Sequence, residues 1–290
     1  MENTNIRIPE RFKDHPIFNE RICGTNFGFM SKRGYYLREE VRKQPELMRE
    51  AGINWTTLNM NFCMDNYFSQ KVYLDFQFSS GEYELSEMVK RLHDNGIRVL
   101  FKPCLTPLDG GWMGLVNFPK TEVLRQIEGV STDYWGNWFK SFTEGLKYFS
   151  DFSERVGMDA MIIGAEYSGT EEQSSNWEKV IEAVRENYSN PISYETTVGS
   201  SAKHDHEWLK KLDFLSYSYY PPACGSNMPL QSGGAMDANY MEVCYRTFLD
   251  MPERMGLFWW KWDETQNRPH YKDDPNGDKG FSVRNKLQNR

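Results

Sequence analysis

Paired cysteines are missing from this sequence: the five it has (Cys23, Cys63, Cys104, Cys224 and Cys244) are odd in number, widely spaced and without a CxxC pair. That pattern excludes a disulfide framework and a zinc knuckle. Long hydrophobic runs are missing too, since no stretch approaches the ~18 apolar residues of a membrane span. The opening MENTNIRIPERFKDHP has no apolar h-region. These features predict reduced thiols, a cytoplasmic location and no membrane partner, with secretion behind a trimmed signal as the alternative. Positive charge is in short supply: 34 Lys and Arg face 41 Asp and Glu, for a net charge of −7 and a pI near 5.4. The basic residues are scattered rather than striped, which excludes a nucleic-acid partner. There are no internal repeats, no low-complexity segments, no phosphate-binding loop and no dinucleotide fingerprint, and no cofactor is expected. GAEYSG, from Gly164 to Gly169, is not a GxSxG elbow, because Glu166 stands where the serine would be. Ser and Cys nucleophiles lack a partnered His.

What the sequence has in plenty is aromatic surface. Phe, Trp and Tyr make up 15% of the 290 residues, with nine Trp and sixteen Tyr, more than a core demands. Aromatics in excess often line ligand clefts. The length suits a single α/β barrel domain, which runs to about 250 residues or more. Residues 1–20 read as an N-terminal extension and 267–290 as a charged tail. Between them strand and helix signals alternate, the mark of βαβ units and a parallel sheet.

Strands are predicted at Ile22–Phe27, Ile53–Met60, Ile97–Leu105, within Met158–Glu166, at Pro191–Val198, Asp213–Tyr219 and, as strand eight, Gly256–Trp262. Helices are predicted at Tyr36–Ala51, Glu84–Asn95, Tyr134–Val156, from a capping Ser174 or Ser175 to Tyr188, at His204–Leu212 and at Asp237–Met251. Gly52, Gly96 and Gly157 follow helix ends, where a left-handed residue closes the last turn. The sixteen residues from Pro221 to Met236 hold three Pro and three Gly. An ordinary βα unit needs at least ~15 to 20 residues there with its loops. The expected fold is therefore an α/β (β/α)8 TIM-type barrel with a truncated or atypical seventh βα unit.

The apolar run MDAMIIGA ends in Glu166. A carboxylate at the C-terminal mouth of a barrel strand sits where such barrels carry their chemistry, and the apolar surroundings favour a general acid. A second carboxylate close by would push one of the two pKa values upward, as a general acid requires. Glu195, mid-strand in PISYETTV, is expected to point into the barrel beside Glu166; the other reading is a salt bridge to Lys102 or Lys261. Asp263 and Glu264, past strand eight, are the further candidates. Glu171 and Glu172 read as loop acids before a helix, favoured there by its dipole. His204, Asp205 and His206 suggest a metal site, but no His stands at a strand end, so a helix cap by Asp205 is preferred and no metal is expected. Two long loops, Asn61–Gly81 and Thr106–Val130, are expected to wall the mouth.

Five motifs in order make the chain similar to glycoside hydrolase family 113, the β-mannanase-like barrels: KP at Lys102–Pro103, GAE at Gly164–Glu166, LDFLSYSYYP from Leu212 to Pro221, FWWKWDE from Phe258 to Glu264, and GFSVRNK from Gly280 to Lys286. The resemblance implies that Glu166 is the acid/base, that Trp260 or Trp262 forms an aromatic floor under the sugar, and that Tyr217, Tyr219 and Lys102 face the cleft. Two departures stand out: Cys104 holds a position where the family often has His, and no segment here ends in a Glu as the family's nucleophile strand seven does. The expected function is hydrolysis or binding of a β-linked, mannan-like oligosaccharide. Glu166 and Glu195 would be catalytic, and Asn26, Asn59, Lys102, Tyr217, Tyr219, Trp260, Trp262 and Asp263 would bind substrate. The alternative is a catalytically impaired carbohydrate-binding homologue.

Overall fold

The computed structural model describes residues 8–119, 133–197, 206–218, 256–259 and 262. Within them seven strands form one sheet: β1 (Ile22–Phe27), β2 (Trp55–Met64), β3 (Arg98–Pro107), β4 (Ala160–Ala165), β5 (Ile192–Thr197), β6 (Phe214–Ser218) and β7 (Gly256–Trp259). Every neighbouring pair is parallel, in the order β6-β5-β4-β3-β2-β1-β7. This is the curled sheet of a TIM-type barrel, with β6 and β7 at its two edges. In sequence those edges are separated by residues 219–255, so the cut-down unit expected at Pro221–Met236 and the helix expected at Asp237–Met251 lie outside the described residues.

The helices are α1 (Pro16–Asn19), α2 (Glu39–Arg42), α3 (Gln44–Glu50), α4 (Glu82–Asp94), α5 (Tyr134–Val156) and α6 (Ser174–Arg185). Tyr36–Ala51 is not the single helix its periodicity predicts. A 3-10 turn at Tyr35–Leu37 precedes α2, and the chain restarts as α3 with Pro45 in its first turn. Proline has no N–H to continue a preceding helix, and its ring disfavours helical backbone just before it. The segment expected as a helix over His204–Leu212 is a 3-10 turn at Glu207–Lys211. Ser174 opens α6 from inside, because Gln173 is the cap and no side chain closes it. Gly52, Gly96 and Gly157 do take positive φ, at 80°, 71° and 74°.

Strands β2, β3 and β4 are buried almost without interruption, as a sheet covered on both faces requires. Outward-facing Phe62, Phe101, Ile163 and Tyr194 join Phe142, Phe149 and Trp177 of α5 and α6 in the main core. Helix α5 comes so close to β2 that a Cβ on Gly145 would overlap the Phe62 ring. A second, smaller cluster fills the base of the barrel interior: Ile22, Trp55, Leu100, Ala160 and Ile162, closed from below by Ile17. The described part of the stretch expected as an extension, residues 8–20, thus closes the barrel's floor. His15 accepts the Ile17 amide through Nδ1 at 3.2 Å, Glu20 pairs with Arg98 at 2.8 Å, and Arg11 reaches Asp213 at 3.0 Å.

Candidate functional site

Strand β4 is AMIIGA, apolar and fully buried, and it delivers Glu166 to the C-terminal mouth as its next residue. The last step is irregular. The pairing with β5 shifts between Ile162 and Ala165, and Glu166 adopts φ +61°, one of two non-glycine residues with positive φ among those described. Bulges near strand ends re-aim side chains in this way. The Glu166 amide donates to the Glu195 carbonyl at 2.7 Å, and the next amide, Tyr167, donates to the Tyr194 hydroxyl at 3.0 Å. The Glu166 carboxylate is half-buried and accepts from Trp112 Nε1 at 3.4 Å. Trp112 comes from the loop after β3 and leaves 45% of its surface exposed beside that carboxylate.

Glu195 stands on β5 in register with Ala165, so the two glutamates occupy adjacent strands. Its carboxylate is bonded on both oxygens: Lys102 Nζ donates to Oε2 at 2.6 Å, and Ser218 Oγ donates to Oε1 at 2.6 Å. The two readings of Glu195, an inward carboxylate and a partner of Lys102, hold together, because Lys102 reaches from β3 past β4 to meet it. The side chains of Lys102 and Glu195 are only 3% and 15% exposed. Burial works against the Lys102 ammonium, but the Glu195 carboxylate, with smaller help from Cys104 and Glu166, raises its pKa above the ordinary lysine value. The Lys102 side chain is therefore held in its ammonium form at neutral pH. Cys104, one inward position further along β3, is buried; desolvation pushes its thiol up to about 12, so it stays protonated and donates to Asn59 Oδ1 at 3.4 Å.

The other expected site residues divide sharply. Asn59 is fully buried, with its amide donating to the Phe27 carbonyl at 2.8 Å and its Oδ1 taken by Cys104, so it braces β1 against β3 rather than meeting a hydroxyl of a ligand. Asn26 is 7% exposed and accepts the Thr57 hydroxyl. Tyr217 does not face the interior: Ser216 and Ser218 bond Ser193 and Glu195, so alternation along β6 puts Tyr217 on the opposite face, 55% exposed. Trp262 does not offer an open ring face. It is 1% exposed, and its Nε1 donates to Gln44 Oε1 at 2.9 Å while its amide donates to the Asn26 carbonyl at 2.8 Å. Tyr219, Trp260, Lys261, Asp263 and Glu264 lie outside the described residues, as do His204 and Asp205.

Glu171, read as a loop acid, is 1% exposed and accepts the Tyr194 hydroxyl at 2.9 Å. Burial raises its pKa. Among the described residues no group of three or more His, Cys, Asp and Glu is placed to hold a metal, and no helix is long and apolar enough to cross a membrane. Three contributors went unnamed as site residues from sequence. Trp112 sits in a glycine-rich loop, GGWMG, whose length marked it as functional without marking which residue. Ser218 was one alternation step from Tyr217 and Tyr219. Tyr194 points away from the mouth and acts on it only through a backbone amide.

The profile of Glycoside Hydrolase Family 113 matches residues 25–236. Among curated proteins no sequence match reaches significance. Among solved structures, one titled a complex structure of a GH113 β-1,4-mannanase superposes with a TM-score of 0.76 at 20% identity, covering 93% of this chain and 100% of that one. The GH113 β-mannanase AaManA from Alicyclobacillus acidocaldarius, in complex with ManMIm, gives 0.72 at 20% identity over 93% of this chain and 96% of that one. At that identity the superpositions establish the fold. The profile, running from β1 past β6 and taking in Lys102, Glu166 and Glu195, establishes the lineage: this chain belongs to Glycoside Hydrolase Family 113.

Proposed function

We propose that the protein is a glycoside hydrolase acting on β-1,4-linked, mannan-like oligosaccharide, with Glu166 as general acid/base. The observation that carries the reading is the placement of Glu166. It is a carboxylate at the mouth end of β4, turned by a left-handed backbone and touched by the exposed ring of Trp112. A half-buried carboxyl poised at that face can hand a proton to a glycosidic oxygen and take one back from water. Trp112 adds an apolar face for a pyranose ring and an N–H that orients the carboxylate.

Glu195 is the partner. Lys102 holds its carboxylate by a direct ion pair, in position to stabilise positive charge developing on the sugar or to attack it. Glu195 lies on the strand next to Glu166, in register with Ala165, so both carboxylates belong to adjacent strands at the same end of the sheet. Trp260 and Asp263 extend the sugar site in this reading.

A second reading, saccharide binding without turnover, is favoured by one specific observation: both Glu195 oxygens already accept short hydrogen bonds, which lowers the reactivity of the carboxylate. Incubation with β-1,4-mannohexaose, analysed by chromatography alongside calorimetric titration, separates the two. Products that form with wild type and vanish with Glu166→Gln support hydrolysis. Binding without any product supports the second reading, and neither binding nor product defeats both.

A further inference from the structure

The left-handed turn at Glu166 has two restraints on consecutive amides. One is main-chain: the Glu166 N–H on the Glu195 carbonyl, available to any sequence. The other depends on residue identity: the Tyr167 N–H on the Tyr194 hydroxyl. Having accepted that bond, the hydroxyl gives its own proton to Glu171 Oε1 at 2.9 Å. The Tyr194 ring is held in place because it packs edge-on against both Trp177 and Trp208, at centroid distances of 5.2 and 5.1 Å, and those two rings are themselves stacked at 4.8 Å. Glu171 is fixed in turn: Trp208 Nε1 donates to its carbonyl at 3.1 Å, and Trp177 Nε1 donates to the adjoining Thr170 carbonyl at 3.1 Å. Tyr167 is held at its other end, where its hydroxyl accepts the Leu105 amide of β3 at 2.9 Å.

A phenylalanine at 194 and a leucine at 171 would fill the same space without burying a carboxylate, so packing does not account for the polar pair. The amide it serves does. A non-glycine residue in the left-handed region persists only where its surroundings over-determine it. We infer that Tyr194, anchored by Glu171, is a positioning residue for Glu166: its hydroxyl fixes the Tyr167 amide and with it the turn that aims the acid/base carboxylate at Trp112 and the mouth. The inference rests on the reading of Glu166 as acid/base. The device lies behind the sheet, out of reach of any ligand, and acts through one hydrogen bond.

The test uses the full-length chain with Tyr194→Phe, Glu171→Leu and Glu171→Gln, each crystallised and assayed on β-1,4-mannohexaose. Tyr194→Phe is expected to move residue 166 out of the left-handed region or break its contact with Trp112. It should lower kcat by about tenfold with KM within about twofold, since small misplacements of a catalytic group cost on that scale or more. Glu171→Leu should follow it. Glu171→Gln, whose amide oxygen still accepts from Tyr194, should keep the wild-type turn and kcat. A merely structural role would lower thermal stability in the first two variants and leave kcat and the turn unchanged, which overturns the inference. So does Glu171→Gln behaving like Glu171→Leu. Should Tyr194→Phe fail to fold, the Glu171 pair decides alone. If wild type hydrolyses nothing, or Glu166→Gln hydrolyses normally, the acid/base reading fails separately, and the backbone conformation at residue 166 still decides whether Tyr194 sets it.

Discussion

At the scale of single residues, Glu166 and Lys102 make opposite demands. Glu166→Gln removes the transferable proton while keeping shape, so turnover is expected to fall at least ~100-fold with oligosaccharide affinity largely retained; kinetics and calorimetry on the same variant check both halves. Lys102 is a stability element. Removing one member of a buried ion pair leaves an uncompensated charge at a cost of about 3–5 kcal/mol, so Lys102→Met should lower the urea midpoint strongly, and Lys102→Met with Glu195→Met should recover much of the loss. The pair also fixes a pH dependence. Because the folded-state pKa of Lys102 lies above the ordinary 10.5, its contribution is fully present below that value and lost as pH rises through the raised one. The stability difference between wild type and Lys102→Met should therefore be flat at neutral pH and shrink only above pH 10.5. Glu166 was legible in sequence because one charge ends an apolar run. Tyr217, expected in the cleft from the family resemblance, lies on the outer face of β6, because Ser216 and Ser218 hold the inward parity. Trp262 was beyond sequence reasoning altogether, since a Trp after a strand gives no sign of whether its ring meets solvent or a glutamine from a distant helix.

Elements were more readable than residues where two signals coincide. Helix α5 has an apolar stripe, an Asp133 that accepts the Gly136 amide at 2.9 Å, and a left-handed Gly157 at its end, so its predicted and observed limits agree. The run from Tyr36 to Ala51 has Gly52 at its end but no capping side chain where α2 starts, and Pro45 interrupts it, because periodicity cannot supply a missing N–H. Inside α5, Gly145 looks from sequence like a weak point. Alanine there gains about 1 kcal/mol of helix propensity. Its Cβ must also displace the Phe62 ring, and overpacking costs typically 1–3 kcal/mol. Gly145→Ala is thus expected to destabilise on balance and Gly145→Val severely, as a urea titration followed by circular dichroism would show; a stabilised alanine variant would mean that α5 stands farther from β2.

On the scale of the whole molecule, strand and helix alternation was enough to specify a parallel sheet, because parallel neighbours need a crossover between them. The role of residues 8–20 was not legible, since a short polar segment with two buried hydrophobic side chains, Phe12 and Ile17, has no periodicity to read. Truncating Ile17 removes the floor's apolar plug: Ile17→Ala should cost about 2–4 kcal/mol, with affinity for oligosaccharide unchanged because floor and mouth are at opposite ends of the strands. The floor has one more consequence. Residues 8–20 run beneath the barrel, with Arg11 joined to Asp213 just ahead of β6, so the chain enters the fold at the end farthest from Glu166. Whatever joins the protein ahead of residue 8 therefore meets the fold at the base of the strands, and the contacts that anchor this segment leave the mouth end uncovered.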